Sequence, residues 1–331
     1  MQRRISLYTY ALMMLALMLT SCDWVSSAFL EDSNKLHDIE RFDILQNEYG
    51  ASGSFSVIQH MNTDFPRETK VLIEDVLSLG AVTDADVNDK LYHCLADTSM
   101  LVLMADGEER FGNMEKLNQQ FYKAFENLSE TLPELPMPRI YAQCSALNQS
   151  VVVADSLIGF SVDKYMGTDY PPYRKYFYDY QIESMIPERI VPDCVYFYLR
   201  YYYPFPNSEE GSLIEHVIHN GVLNWIAAKA LKMNDVEDML CMPKQERKWL
   251  KNNEQKIWTL LDNPVIRNSK DPQLIRTLLA PAPFTPELGE DSPDMLGVWA
   301  GYHIVDKYMK QHSKTTVKEL LDKKLEELLP R

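Results

Sequence analysis

The spacing of apolar residues predicts a mostly helical protein with one short β segment. Apolar side chains recur on one helical face before the prolines at 133, 136 and 138, at Met114, Leu117, Phe121, Phe125 and Leu128. Similar periods predict helices over residues 67–79 and 83–104. Residues 140–146 and 151–162 are instead rich in β-branched and aromatic residues, which indicates strands. We therefore expect an α+β fold, predominantly helical, with helices packed around a small antiparallel sheet.

Helix-start signals divide the second half of the chain. Residues 212–231 are apolar on nearly all sides, which predicts a central buried helix. Asp271-Pro272 and Ser292-Pro293 each place a cap residue before a proline at the first helical position, and Thr316 forms a capping box with Glu319. We expect further helices from about residue 187, over 245–261, 271–279 and 293–312, and from 316. The spacing Gly297-x-x-x-Gly301 predicts close packing of one helix on another.

The first residues have the pattern of a bacterial lipoprotein signal. Arg3 and Arg4 precede an apolar run over 10–19, which is too short to cross ~30 Å of hydrocarbon. The sequence Leu19-Thr20-Ser21-Cys22 then predicts cleavage before Cys22 and lipidation of its thiol. An ordinary signal peptide or membrane anchor that happens to contain a cysteine is the alternative. We expect a signal peptide at 1–21, a lipidated N-terminus and tether at 22–35, and one globular domain at 36–331.

That domain is predicted to be helical over 36–135, to form a β-meander over 138–163, and to be helical again over 164–331. With 46% hydrophobic residues, the chain can bury a large core. Its net charge is −15 and becomes more negative when a signal with two arginines and no acids is removed. Such a surface disfavours nucleic acid and anionic headgroups, so we expect membrane association through the lipid and no nucleic-acid partner.

Neither the cysteines nor the glycine motifs searched for indicate a bound cofactor. Four cysteines remain after Cys22, at Cys94, Cys144, Cys194 and Cys241, and their wide spacing allows either two disulfides or buried free thiols. No phosphate-binding or dinucleotide-binding glycine motif is present. We expect no cofactor.

Glu215-His216-Val217-Ile218-His219 on the central helix resembles a fragment of a zinc motif. The metalloprotease pattern His-Glu-x-x-His needs two histidines four residues apart with a glutamate between them. If either His216 or His219 is taken as the first histidine of this pattern, the glutamate and the second histidine are both missing. We therefore expect no catalytic residues here and interpret both histidines as ordinary helix residues, with a noncanonical metal site as the alternative.

A cluster of aromatic residues follows the β segment, at Tyr196, Phe197, Tyr198, Tyr201, Tyr202, Tyr203 and Phe205. Such side chains bury large areas at small entropic cost, so an exposed cluster would suit a protein or glycan contact. A place in the core is the favoured interpretation.

Several blocks together resemble a known family. They are Arg41-Phe42-Asp43, Pro138-Arg139-Ile140, Phe160 to Pro171, Met185 to Val191, Asn253-Glu254-x-x-Ile257-Trp258, Ala282-Pro283-Phe284 and Gly297-x-Trp299-x-Gly301-Tyr302-x-Ile304-Val305. In order and spacing they are similar to the gliding-motility lipoprotein family GldB, and they span nearly all of the mature chain.

The resemblance implies a lipid-anchored envelope protein of Bacteroidetes-type bacteria, with other envelope proteins as partners and a link to gliding motility. It also implies a fold like that of the zincin metallopeptidases, with helices on a small sheet and a central helix whose zinc motif has been lost. A non-enzymatic structural or interaction role follows from it. The alternative is a divergent zincin-like hydrolase, or a metal- or glycan-binding lipoprotein, that uses His216 and His219.

Overall fold

A computed structural model describes residues 36–206 and 211–329 of the chain. The predicted signal peptide, the lipid attachment site Cys22 and the tether lie outside the described residues. Within the described residues, no helix is both long enough and apolar enough to cross a membrane.

Helices dominate the N-terminal part of the domain. They are α1 (Phe42–Ser52), α2 (Phe55–Asp64), α3 (Pro66–Val71), α4 (Val87–Leu95), α5 (Thr98–Arg110) and α6 (Glu115–Thr131). The helix predicted over 67–79 continues past α3 as a π-helical turn at Leu72–Val76 and ends there, before Ser78 adopts a positive φ of 53°. The helix predicted over 83–104 is two helices, because the Asp97 side chain accepts a hydrogen bond from the Ser99 amide and caps a new helix.

The strands form a four-stranded mixed sheet, and the prediction of an antiparallel meander is wrong. The strands are β1 (Glu40–Arg41), β2 (Arg139–Gln143), β3 (Val151–Ala154) and β4 (Leu157–Ser161), in the order β1-β2-β4-β3. β2 pairs in parallel with both β1 and β4, and only the β3–β4 pair is antiparallel. β2 and β3 follow each other in sequence but are not neighbours in the sheet.

The connection over residues 144–150 explains this order. Gln46 of α1 bonds both the amide and the carbonyl of Cys144, at 2.8 and 2.9 Å, so the chain leaves the sheet directly after β2. Ala146 and Leu147 then adopt positive φ angles of 56° and 63°. The chain thus skips one strand position, and β4 occupies that position after a turn at residues 155–156, where Asp155 has a φ of 48°. The polar partner in α1 is about a hundred residues away, so local sequence could not reveal the order.

The second half contains ten α-helices among the residues that the structure describes, and two short 3-10 helices at Pro187–Arg189 and Leu325–Leu328. The α-helices are α7 (Tyr173–Tyr176), α8 (Asp179–Ile182), α9 (Ile190–Tyr202), α10 (Leu213–Ala230), α11 (Val236–Met239), α12 (Lys244–Asp262), α13 (Pro264–Arg267), α14 (Pro272–Leu279), α15 (Leu296–Gln311) and α16 (Val317–Leu321). The central helix and the capping box at Thr316 are confirmed. The helix predicted from Pro293 begins later, because the Ser292 hydroxyl bonds Thr285 and Gly289 and Met295 adopts a φ of 51°.

The central helix α10 packs against α15 with almost no side-chain layer between them. A Cβ added at Gly301 would overlap the Val217 carbonyl and come within 3.1 Å of the Gly221 Cα atom. A Cβ at Gly297 would lie 2.8 Å from the Leu278 carbonyl oxygen. The predicted close packing at Gly297-x-x-x-Gly301 is therefore confirmed, and α10 is the partner helix at Gly301.

The aromatic cluster divides between the core and the surface along α9. Tyr198 is fully buried and donates a hydrogen bond to the Pro136 carbonyl at 2.8 Å. Tyr201, in the last turn of α9, is 47% exposed. All four cysteines of the described residues are free thiols, and Cys144 and Cys194 are buried.

Candidate functional site

The candidate site is a cavity of about 580 Å³ between α9, α10 and α14, which we call the α10 cleft. Its polar side chains are Arg200, His216, His219, Asn220, Lys270 and Arg276, and its apolar walls include Tyr196, Phe205, Leu223, Ile275 and Leu279. The helical spacing of His216 and His219 brings both histidines to the same cleft. A cavity of this size suits a small organic ligand.

Phe205 determines how the two histidines are presented. Its ring stacks on the His216 ring at a centroid distance of 3.9 Å and meets the His219 ring edge-on at 5.4 Å. The Nε2 atom of His219 is buried and has no hydrogen-bond partner among the described residues. The histidine rings are therefore held by aromatic packing with Phe205.

Both histidines are neutral at physiological pH. Burial lowers the pKa of His216, and burial together with the neighbouring His216 lowers the pKa of His219 to about 4. A neutral imidazole with a free nitrogen can accept a hydrogen bond or bind a metal.

The residues around the two histidines do not supply the further ligands of a zinc site. The Glu215 carboxylate bonds the amide and hydroxyl of Ser212 at 2.7 and 2.6 Å, which completes a capping box. The Asn220 side chain donates to the His216 carbonyl and accepts from the Tyr196 hydroxyl at 2.6 Å. Nowhere in the described ranges do three His, Cys, Asp or Glu residues lie close enough together to hold a metal ion.

Three cations of the α10 cleft were not predicted from the sequence. Arg200 comes from α9, Lys270 from the turn before α14, and Arg276 from α14 itself. They lie on separate segments, so no sequence spacing could have grouped them. No carboxylate lines the cleft among residues 36–206 and 211–329, although the whole chain has a net charge of −15. The cleft is thus positive on an acidic protein.

A second cavity of about 480 Å³ adjoins the α10 cleft and shares Tyr196, Arg200, Leu279 and Ala280 with it. The charged residues that it does not share with the α10 cleft, Arg189 and Asp193, are paired with each other. Arg189 binds the Asp193 carboxylate through Nε and Nη2 at 3.0 and 2.6 Å, and the Tyr165 hydroxyl donates to the same carboxylate at 2.9 Å. These groups fasten the start of α9, so the second cavity extends the cleft without adding a free charge.

Comparison with protein families decides the relationship of the chain. A family model described as gliding motility protein GldB matches residues 30–331. The chain belongs to the GldB family. No curated protein and no solved structure matches it. Membership links the chain to gliding motility and to the cell envelope.

One GldB block, Phe160 to Pro171, holds the sheet to the surrounding loops. Asp163 is fully buried, and its carboxylate accepts hydrogen bonds from the backbone amides of Ser145 and Leu147. The Tyr173 hydroxyl donates to the Asp163 carbonyl and accepts from the Met166 amide, both at 2.8 Å. The block therefore fixes the 144–150 connection that sets the strand order.

Two other GldB blocks act in the same way around α9 and α15. Arg189, in the block from Met185 to Val191, also donates to the Leu240 carbonyl at 2.9 Å. Trp299 donates through its indole nitrogen to Glu237 at 2.8 Å and packs against the His303 ring. These residues join helices to loops, so the side chains of the family blocks described here build the scaffold and do not line the α10 cleft.

Proposed function

We propose that this GldB-family protein is a lipid-anchored envelope protein that binds a partner or ligand through the α10 cleft and catalyses no reaction there. The lipid is attached at Cys22, and the tether over 22–35 holds the domain near one membrane surface. The binding role belongs to the envelope or motility machinery that the family serves.

One observation carries the proposal of a non-enzymatic role. The polar side chains of the cleft are neutral histidines, an amide and three cations, and Glu215 is held in a capping box. A hydrolase built on a metal needs three protein ligands, and a metal-free one needs a nucleophile or a carboxylate beside its base. No serine, threonine, cysteine or carboxylate lines the cleft among the described residues. Cations next to the histidines also disfavour a bound divalent cation.

The zincin-like origin implied by the family resemblance stays a prediction. It is supported by the position of α10, a central helix with two histidines in a domain that contains a small sheet. On that view the cleft is the remnant of an active site.

Metal analysis of the purified protein tests the non-enzymatic role. We expect less than one zinc ion per chain, and the same content in the His216→Ala, His219→Ala double variant. Stoichiometric zinc that disappears in the double variant would favour the alternative, a divergent hydrolase or metal-binding lipoprotein.

Metabolic labelling with an alkyne fatty acid tests the anchor separately. We expect label on the wild-type chain and none on a Cys22→Ala variant. A matched Cys94→Ala variant should keep the label. Unlabelled wild-type protein, or label that persists in Cys22→Ala, would contradict lipidation at this residue.

A further inference from the structure

The strongest unexplained feature of the molecule is the charge of the α10 cleft. Arg200, Lys270 and Arg276 converge on one cavity, and none of them forms an ion pair with any residue in the described ranges. All three residues are exposed to solvent, which screens their mutual repulsion and leaves their charged groups accessible to an anion. Two guanidinium groups and an ammonium group suit a carboxylate or a phosphate.

His219 adds a second and independent requirement. The ring of His219 is neutral, so its Nε2 atom either donates or accepts one hydrogen bond. That buried atom has no partner among the described residues. A buried polar atom without a partner is costly, so the expected ligand carries a group such as a hydroxyl, which can donate or accept, as well as a negative charge.

The walls and volume of the cleft further restrict the range of possible ligands. Leu223, Ile275 and Leu279 give it an apolar side, and about 580 Å³ is far more than an inorganic anion fills. A single sugar ring with an acidic group has the required parts. One of its hydroxyl groups would form a hydrogen bond with His219 Nε2, and its apolar ring face would lie on the aliphatic wall.

We propose that the α10 cleft binds an acidic carbohydrate, a sugar that carries a carboxylate or a phosphate. The proposal names a ligand class for the α10 cleft and rests on the proposed function, which assigns a binding role to that cleft. Lipidation at Cys22 is independent of it, so a failed binding experiment would leave the labelling result for the anchor unchanged.

Calorimetric titration of the full chain in neutral detergent tests the proposal. The probes are glucuronic acid, glucose 6-phosphate, glucose and inorganic phosphate. We expect at least one acidic sugar to bind about tenfold or more tightly than both glucose and phosphate, because only the acidic sugars satisfy the cations and His219 together. The two acidic sugars distinguish a carboxylate from a phosphate ligand.

Two triple variants control for charge. Arg200→Gln, Lys270→Gln, Arg276→Gln should weaken acidic sugar binding by about tenfold or more. Lys244→Gln, Lys251→Gln, Lys256→Gln removes the same charge from exposed positions on α12 and should leave binding unchanged. Equal weakening in both triples would overturn the proposal, because binding would then follow net charge alone. Phosphate binding as tight as that of both acidic sugars would overturn it too.

A histidine variant and an acidic variant complete the test. His219→Phe should weaken binding of the acidic sugar and leave phosphate binding unaffected, and an unchanged sugar affinity would contradict the role of Nε2.

Glu209 and Glu210 precede the cleft residue Gly211 and lie outside the described residues. If wild-type protein binds no acidic sugar and a Glu209→Gln, Glu210→Gln variant does, the cations are compensated internally and the proposal is wrong.

Discussion

Replacement of Gly301 by alanine should destabilise the domain by forcing α10 and α15 apart. The added methyl group would overlap the Val217 carbonyl, which is helix backbone and cannot rotate away. It would also approach the Gly221 Cα atom to 3.1 Å. Restoring van der Waals contact therefore requires the two helices to separate by roughly 1 Å along a well-packed interface.

The expected size of the effect follows from two opposing terms. Overpacking against a rigid backbone costs about 3 kcal/mol. Alanine favours a helix interior over glycine by about 1 kcal/mol, so the net loss in the free energy of unfolding is about 2 kcal/mol. For a domain of this size, that loss lowers the melting temperature by about 4 °C.

Thermal unfolding followed by far-UV circular dichroism measures this shift. Gly112→Ala is the matched control, because its Cβ would meet nothing closer than the Glu108 carbonyl oxygen at 3.4 Å. The control should change stability by less than about 0.5 kcal/mol. A Gly301→Ala variant that melts within about 1 °C of wild type would refute the close-packing argument. The Gly221→Ala, Gly301→Ala double variant should lose less free energy of unfolding than the sum of the two single variants, because either substitution already separates the same two helices.

Two further predictions follow from buried carboxylates. Asp163→Asn should lower the free energy of unfolding by about 2 kcal/mol, because the new NH₂ group cannot accept the hydrogen bond from the backbone N–H that the replaced oxygen accepted. Urea denaturation measures this loss. An unchanged urea midpoint would contradict the prediction. Burial and the nearby Glu183 and Asp294 raise the pKa of Glu246 to about 7. Its protonated form therefore stabilises the fold below the ordinary glutamate pKa of 4.5, and this contribution is lost as the pH rises through 7. Glu246→Gln should raise the melting temperature more at pH 8 than at pH 5, and equal shifts at both would exclude this titration.

Local patterns predicted the helices whose ends are set by adjacent residues. Ser212 with Glu215, and Thr316 with Glu319, form capping boxes as the spacing indicates. Asp271 caps α14 before its proline. The signal Ser292-Pro293 failed because the serine hydroxyl bonds Thr285 and Gly289 of the preceding loop and not the amides of a following helix.

The sheet order and the cations of the cleft depend on contacts between distant residues. Gln46 redirects the chain at Cys144, and local sequence around either residue shows no such pairing. His216 and His219 could be grouped because one helix carries both. Arg200, Lys270 and Arg276 come together only in the folded structure. The sequence therefore placed the two histidines side by side but did not reveal the positive charges near them.

The strand order also determines when this domain can finish folding. β3 has no partner except β4, so a chain that has emerged only as far as residue 156 has a β3 with no strand to join. β1 likewise waits for β2, whose partner residues are about a hundred positions later. Long-range pairings of this kind slow folding, because loops must close before any strand bond forms. The packing of the N-terminal helices on this sheet is therefore incomplete until β4 inserts between its neighbours, and until then the unpaired strand edges favour aggregation.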